Sequence, residues 1–155
     1  MGKPASFNPN SLETHVGFWL RFVSNHVSHA FALKVESHGV TVAEWVVLRS
    51  LFDVEEKNPS EVAQRLGMTR GAISKLADRL VAKRLVACSV QKEDRRYQSL
   101  SLTPAGRKLV PILAGLADRN DEEFFGHLMA RERAELVELL KGIVQKRGLK
   151  DVPIS

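Results

Sequence analysis

Three groupings of residue type and spacing carry chemistry in this chain. Thr69, Arg70, Gly71, Ser74, Lys75 and Asp78 recur at steps that share the outward face of one helix. They are hydrogen-bonding or small, as base edges and phosphates in a major groove require. Arg70 and Lys75 have the reach for guanine O6 and N7, whereas Thr69 and Ser74 suit phosphate oxygens. The second grouping is Lys92-Glu93-Asp94-Arg95-Arg96. Asp94 and Arg96 fall on one side of an extended segment, so the carboxylate can hold the guanidinium straight. An ordered arginine of that kind suits a narrow minor groove, where negative potential is concentrated. The third is aromatic: His15, Trp19 and His26 lie on one helical stripe, and Trp45 and Arg49 stand one turn apart on the next helix. An aromatic wall with an arginine for a carboxylate suits a small aromatic acid. Its plain alternative is a set of ordinary core aromatics beside a surface arginine.

Enzyme chemistry has no comparable footing. The sequence shows no Ser-His-Asp pattern, no phosphate-cradling glycine loop and no His-Glu-x-x-His. His26 and His29 supply two imidazoles on one helix turn, fewer than a closed zinc site needs, so no metal and no cofactor is expected. Cys88 is the single cysteine, which excludes an internal disulfide. It shares strand parity with Val86 and Val90, and a buried inert thiol is expected there.

The elements that must position these groups are legible in the periodicity. Asn10 with Glu13 reads as a capping box opening one long helix over 10–37, with apolar residues from Leu12 to Phe31 at helical steps. Thr41 with Glu44 opens a helix to about Phe52 that buries Trp45, Leu48 and Phe52. Asn58-Pro59 with Glu61 opens a third helix, stopped by Gly67, and Thr69 caps a fourth with Ile73, Leu76, Ala77 and Leu80 inward. Ala63, Gly67, Ile73 and Leu76 hold the offsets of a helix-turn-helix: a small residue at the crossing, a turn glycine and two wedge residues. Then the period becomes two, giving strands at 86–90 and 98–102 around a charged loop. A helix-turn-helix followed by a charged hairpin is a winged helix. Thr103-Pro104 starts a helix to about Phe125, and a last helix covers about 130–146.

The fold class is therefore mainly α with a small β-hairpin wing. The winged helix-turn-helix occupies 41–103, dimerisation helices 10–38 and 104–146, and flexible ends 1–9 and 148–155. The first and last helices carry more apolar surface than a small winged lobe can cover, so a two-fold homodimer is expected. It would set two recognition helices roughly 34–36 Å apart, one DNA turn.

Composition agrees. The 155 residues are 44% hydrophobic and 26% charged, which excludes collagen-like, disordered and disulfide-scaffold classes. No apolar run is long enough for a membrane span, and Met1-Gly2 with Ser6 has no polybasic support for a lipid anchor. A cytoplasmic location is the simplest expectation. Residues 59–108 hold eleven basic and four acidic side chains, a net +7 in a chain of net +5. The positive charge is one block, the footprint of a polyanion-binding surface.

The stretch Thr41-Val42-Ala43-Glu44-Trp45-Val46-Val47-Leu48-Arg49, the run Pro59 to Ser74, and Asp94-Arg95-Arg96 leading to Leu102-Thr103-Pro104-Ala105-Gly106-Arg107 together resemble the MarR family of bacterial transcriptional regulators. The likeness spans roughly 10–146. It implies a homodimeric winged-helix regulator, most simply a repressor, on pseudo-palindromic double-stranded DNA. It further implies Thr69–Arg79, Arg79 included, as the recognition helix, Arg96 as the minor-groove arginine with Asp94 its orienter and Arg95 beside it, and a small aromatic or phenolic effector. The family's glycine and arginine around the first wing strand are replaced here by Arg84 and Cys88. The alternative function is an interaction module that turns its recognition helix toward a protein partner.

Overall fold

A computed structural model describes residues 9–90 and 98–150; Asp94, Arg95 and Arg96 lie outside the described residues. The order is α1 (Val16–Glu36), α2 (Val42–Phe52), α3 (Pro59–Leu66), α4 (Arg70–Ala82), β1 (Val86–Val90), β2 (Gln98–Leu102), α5 (Pro104–Phe125) and α6 (Ala130–Arg147). Helices α2 to α5 and the hairpin enclose one core, with Leu48, Leu51, Val62, Ile73, Leu80, Leu100 and Leu113 at its centre. From α1 only Val35 is fully buried, and α6 contributes no buried residue.

The long first helix starts later than its periodicity suggests. Leu12–Thr14 form a single 3₁₀ turn, and His15 is extended (φ −90°, ψ 126°) before α1 begins. Side chains here satisfy the backbone that a helix would have used. Thr14 Oγ1 donates to the Ser11 carbonyl (2.7 Å) and Trp19 Nε1 to the Glu13 carbonyl (2.8 Å). The expected Asn10–Glu13 box is replaced by this turn. The Asn58 cap also differs in detail: Asn58 Oδ1 accepts from the Ser60 N–H at 2.7 Å, one residue earlier than a box with Glu61 requires.

Other boundaries fall where the caps place them. Thr41 and Glu44 exchange both capping bonds (3.1 and 3.2 Å), and Thr69 Oγ1 accepts from the Ala72 N–H (3.1 Å). Gly67 ends α3 in the left-handed conformation (φ 63°), with the Met68 N–H reaching back to the Ala63 carbonyl (2.9 Å). The end of α4 uses the same device without a glycine. Arg84 sits at φ 61°, its N–H bonded to the Val81 carbonyl (2.9 Å) and the next N–H, from Leu85, to the Leu80 carbonyl (3.0 Å). A left-handed non-glycine residue costs roughly 1–2 kcal/mol, which the six-to-one closure offsets.

The hairpin pairs Val86 with Leu102 and Cys88 with Leu100, antiparallel. Leu100 also exchanges two backbone bonds with Lys57 (2.7 and 2.8 Å), so β2 lies between Lys57 and β1. That leaves β1 as the outer strand, and only its first residue, Val86, reaches the core. Cys88 is exposed, which corrects the expectation of a buried thiol: the alternation is present, but the core ends before it. Among the described residues no helix is long and apolar enough to cross a membrane.

Candidate nucleic-acid interface

Helix α4 is amphipathic in the sense a reading helix needs. Ile73, Leu76, Ala77 and Leu80 are buried, while Thr69, Arg70, Gly71, Ser74, Lys75, Asp78 and Arg79 are all exposed. The inward four wedge α4 against α3 and α2. Val62 and the small Ala63 are buried at the crossing, and the left-handed Gly67 makes the turn. Every described residue of the predicted recognition surface thus stands on one solvent face. At its start, the helix dipole adds partial positive charge to that of Arg70, so the face opens on an anion-favouring end.

Gly71 is informative for what it lacks. A Cβ placed on it meets nothing within 4 Å, and its backbone is helical, so the fold has no use for a glycine there. The missing side chain leaves the first turn of α4 open to whatever approaches from outside.

Two joints hold α4. At its C-terminal end Lys83 Nζ donates to Glu44 Oε2 (2.7 Å) and to the Gly39 carbonyl (2.8 Å). Glu44 is 1% exposed, so this carboxylate is at once the capping partner of α2 and the buried counter-ion of the α4 terminus. The sequence displayed only the first role, because Lys83 lies 39 positions away. The second joint is the Thr103-Pro104-Ala105-Gly106-Arg107 run. Thr103 Oγ1 donates to the Arg84 carbonyl (2.7 Å) and accepts from the Gly106 N–H (3.1 Å). A Cβ on Gly106 would collide with the Leu85 carbonyl oxygen, so glycine is required for this close approach. Arg107 Nη1 donates to the Phe52 carbonyl at the end of α2 (3.1 Å). The motif therefore fastens α5 to the segment that links recognition helix and wing.

The five residues expected around an aromatic ligand are not brought together within one chain. Trp45 and Arg49 line a cleft of about 320 Å³ between α2 and α3, with Val46, Ser50, Arg65 and Leu66. Trp45 is half-buried, its ring edge-on to Phe31 (6.3 Å between centroids). Trp19 instead lines an apolar groove of about 600 Å³ along α1, with Val23, Phe124, Leu136 and Leu140 among its walls. His26 stacks against Phe22 (5.0 Å), and His15 Nδ1 lies 3.1 Å from the Ser11 carbonyl. Arg49 pairs with Asp53 (2.7 Å) and lies over the Phe52 ring (5.8 Å), on which Arg107 also stacks (5.5 Å). The Arg49 hydrogen bond holds the Asp53 carboxyl below the usual range. Among the described residues no three His, Cys, Asp or Glu side chains gather to hold a metal ion.

Known proteins of the same build are numerous. The sequence model of the MarR family matches residues 38–96, which take in α2, α3, α4 and β1 and stop before β2. The HTH-type transcriptional regulator SarZ of Staphylococcus haemolyticus is 25% identical over 86% of this chain and 89% of its own length. The HTH-type transcriptional repressor MdtR of Bacillus subtilis is 40% identical over 52% of this chain and 53% of its own. Among solved structures, that of BpsR from Bordetella bronchiseptica superposes with a TM-score of 0.78 at 29% identity, covering 88% of this chain and 97% of that one. SarZ and MdtR are regulators of transcription, and BpsR binds DNA. With its buried wedge, its exposed α4 face, its hairpin and the Thr103–Arg107 joint, the chain has the winged helix-turn-helix fold and is similar to MarR-family transcriptional regulators, whose family model it matches over 38–96.

Proposed function

We propose that the chain is a homodimeric repressor that reads a pseudo-palindromic operator and releases it when a small aromatic or phenolic acid binds. The observation that carries the DNA-reading half is α4, whose Ile73, Leu76, Ala77 and Leu80 are buried while the cap Thr69 and Arg70, Gly71, Ser74, Lys75, Asp78 and Arg79 face solvent. In this reading Thr69 and Ser74 take phosphates, Arg70, Lys75 and Arg79 reach bases or backbone, and Gly71 lets the helix start approach closely. Asp94, Arg95 and Arg96 act as the wing, with Arg96 in the minor groove.

Support for the dimer comes from apolar surface that the chain alone leaves in water. Leu136, Val137, Leu139, Leu140, Ile143 and Val144 of α6 are each at least 36% exposed, and Val16, Trp19, Leu20 and Val23 of α1 at least 43%. Exposed patches of this size mark interfaces. Helices α1, α5 and α6 are thus assigned to dimerisation and residues 41–103 to the reading lobe. Repression is supported by the 40% identical MdtR, which is a repressor. An aromatic acid as effector is supported by BpsR, whose DNA binding is regulated by 6-hydroxynicotinic acid. Of the candidate residues, Trp45 and Arg49 share a cleft; Trp19 and His26 sit on α1 and His15 just before it, where the second chain of a dimer would cover them.

Fluorescence anisotropy tests this reading, with the gene's own upstream duplex and a scrambled control across a salt series. Two chains per duplex, a steep salt slope, and a preference above ~10³ for the native duplex are expected. Arg96→Ala should lose most of that preference. Equal weak binding to both duplexes, unchanged by Arg96→Ala, would favour the alternative, a winged helix turned toward a protein partner.

A further inference from the structure

We propose that Arg65, and not Arg49, takes the carboxylate of a monoanionic single-ring aromatic ligand in the α2–α3 cleft. Occupancy would then act directly on the helix-turn-helix. The inference rests on the proposal above that the effector is an aromatic acid, and assigns its charged group.

The cleft presents two guanidiniums, which differ in what already holds them. Arg49 is engaged twice: its Nη1 is 2.7 Å from Asp53 Oδ2, and its plane lies over Phe52. A ligand carboxylate that recruited Arg49 would have to displace an internal carboxylate in ideal i,i+4 position. Arg65, on the opposite wall, is exposed and makes no ion pair among the described residues. Two guanidiniums and one carboxylate leave a single positive charge, which one ligand carboxylate neutralises. A dianion would leave a surplus negative charge.

Size and lining narrow the class further. About 320 Å³ lies at the lower end of the roughly 300–1,000 Å³ typical of ligand sites, enough for one ring. Trp45 supplies the aromatic wall, and Val46 and Leu66 supply apolar contact. Arg65 stands in the last turn of α3, two residues before the left-handed Gly67 that sets the angle between α3 and α4. Drawing Arg65 toward a ligand seated on α2 therefore pulls on the helix that supports the recognition helix, whereas Arg49 belongs to α2 alone.

The test uses Trp19→Phe, which leaves Trp45 as the only indole, with benzoate as probe and benzamide as its uncharged control. Saturable quenching by benzoate is expected, with benzamide at least tenfold weaker. Arg65→Met should weaken benzoate about tenfold, to the benzamide level, and Arg65→Lys should recover part of the loss. Arg49→Met should change it less than threefold. Arg65 and Arg49 are exposed, and circular dichroism would check that each variant keeps its helix content. A tenfold loss from Arg49→Met with Arg65→Met silent would overturn the inference while leaving an aromatic-acid effector standing. Weaker operator binding by Arg65→Met with benzoate quenching unchanged would also overturn it, making Arg65 a phosphate contact. No quenching by either probe would overturn it too. Operator release by benzoate, followed in parallel by anisotropy, would then show whether an effector acts from another site.

Discussion

The outward face of α4 carries two residues that weaken the helix, and replacing them separates stability from function with opposite signs. Gly71 is the second residue of α4 and Ser74 the fifth; both are exposed, and a Cβ on Gly71 would touch nothing. Alanine at each should relieve about 0.5 kcal/mol of unfavourable propensity, taking the lower end of the glycine range because Gly71 lies in the first turn. The pair then stabilises by about 1 kcal/mol. With an unfolding entropy of about 2.1 cal/mol/K per residue, 155 residues give a rise in Tm of about 3 °C. Operator binding should move the other way. A lost Ser74 hydrogen bond to phosphate is worth about 1.4 kcal/mol, and it is lost once in each half-site. Gly71→Ala/Ser74→Ala should therefore bind its duplex about a hundredfold more weakly while melting higher. Differential scanning fluorimetry and anisotropy on the same preparation read both quantities. A higher Tm with unchanged operator affinity would refute the assignment of this face to DNA; an unchanged Tm would refute the propensity argument.

Four further outcomes follow from the contacts around α4 and the end of α2. Gly106→Ala pushes a methyl against the Leu85 carbonyl and should destabilise by about 2 kcal/mol or more, seen as a lower urea midpoint. Lys83→Met strands the buried Glu44 carboxylate and should cost about 3 kcal/mol, the low end for a broken buried pair because Lys83 is partly exposed; a thermal melt checks it. Arg84→Gly removes left-handed strain but loosens the unfolded chain, so chemical denaturation should show a gain of under about 1 kcal/mol. Asp53 should titrate below an ordinary aspartate by NMR, and Arg49→Met should raise its pKa. Because the folded pKa is the lower one, any stabilisation by this pair is present above the unfolded pKa and is lost as pH falls through the folded one.

Most of the winged lobe was legible because its signals are local. A cap and its partner lie three residues apart, as in Thr41 with Glu44 and Thr69 with Ala72. The buried positions of α4 likewise follow one another at helical steps. What failed were places where a non-local or competing partner decides. At 11–19 the pattern of apolar residues is helical, yet Trp19 and Thr14 take the carbonyls and break the first turn away. On β1 the alternation of Val86, Cys88 and Val90 is regular, but parity only says which side a residue faces. Whether a core lies on that side depends on β2 being the inner strand, which Lys57 fixes from 43 positions before Leu100.

The candidate site divides along the same line. The residues proposed to face DNA fall in two short stretches of sequence, 69–79 and 94–96, so their grouping is written in nearby positions. The residues proposed to face a ligand come from different helices, and residue type alone pointed to Arg49, one turn after Trp45. Asp53, one turn further along the same helix face, pairs with Arg49, and Arg65 enters the cleft from α3. A guanidinium is available to a ligand only to the extent that the chain has not already satisfied it, and that is a property of its neighbours in space. The apolar stripe of α6 obeys the same rule: the sequence shows that it must be covered, while the single chain leaves it in water. A second chain covering that stripe would also bring another α1, with its own Trp19 and His26 and the preceding His15, to the α1 face where the first chain's copies lie.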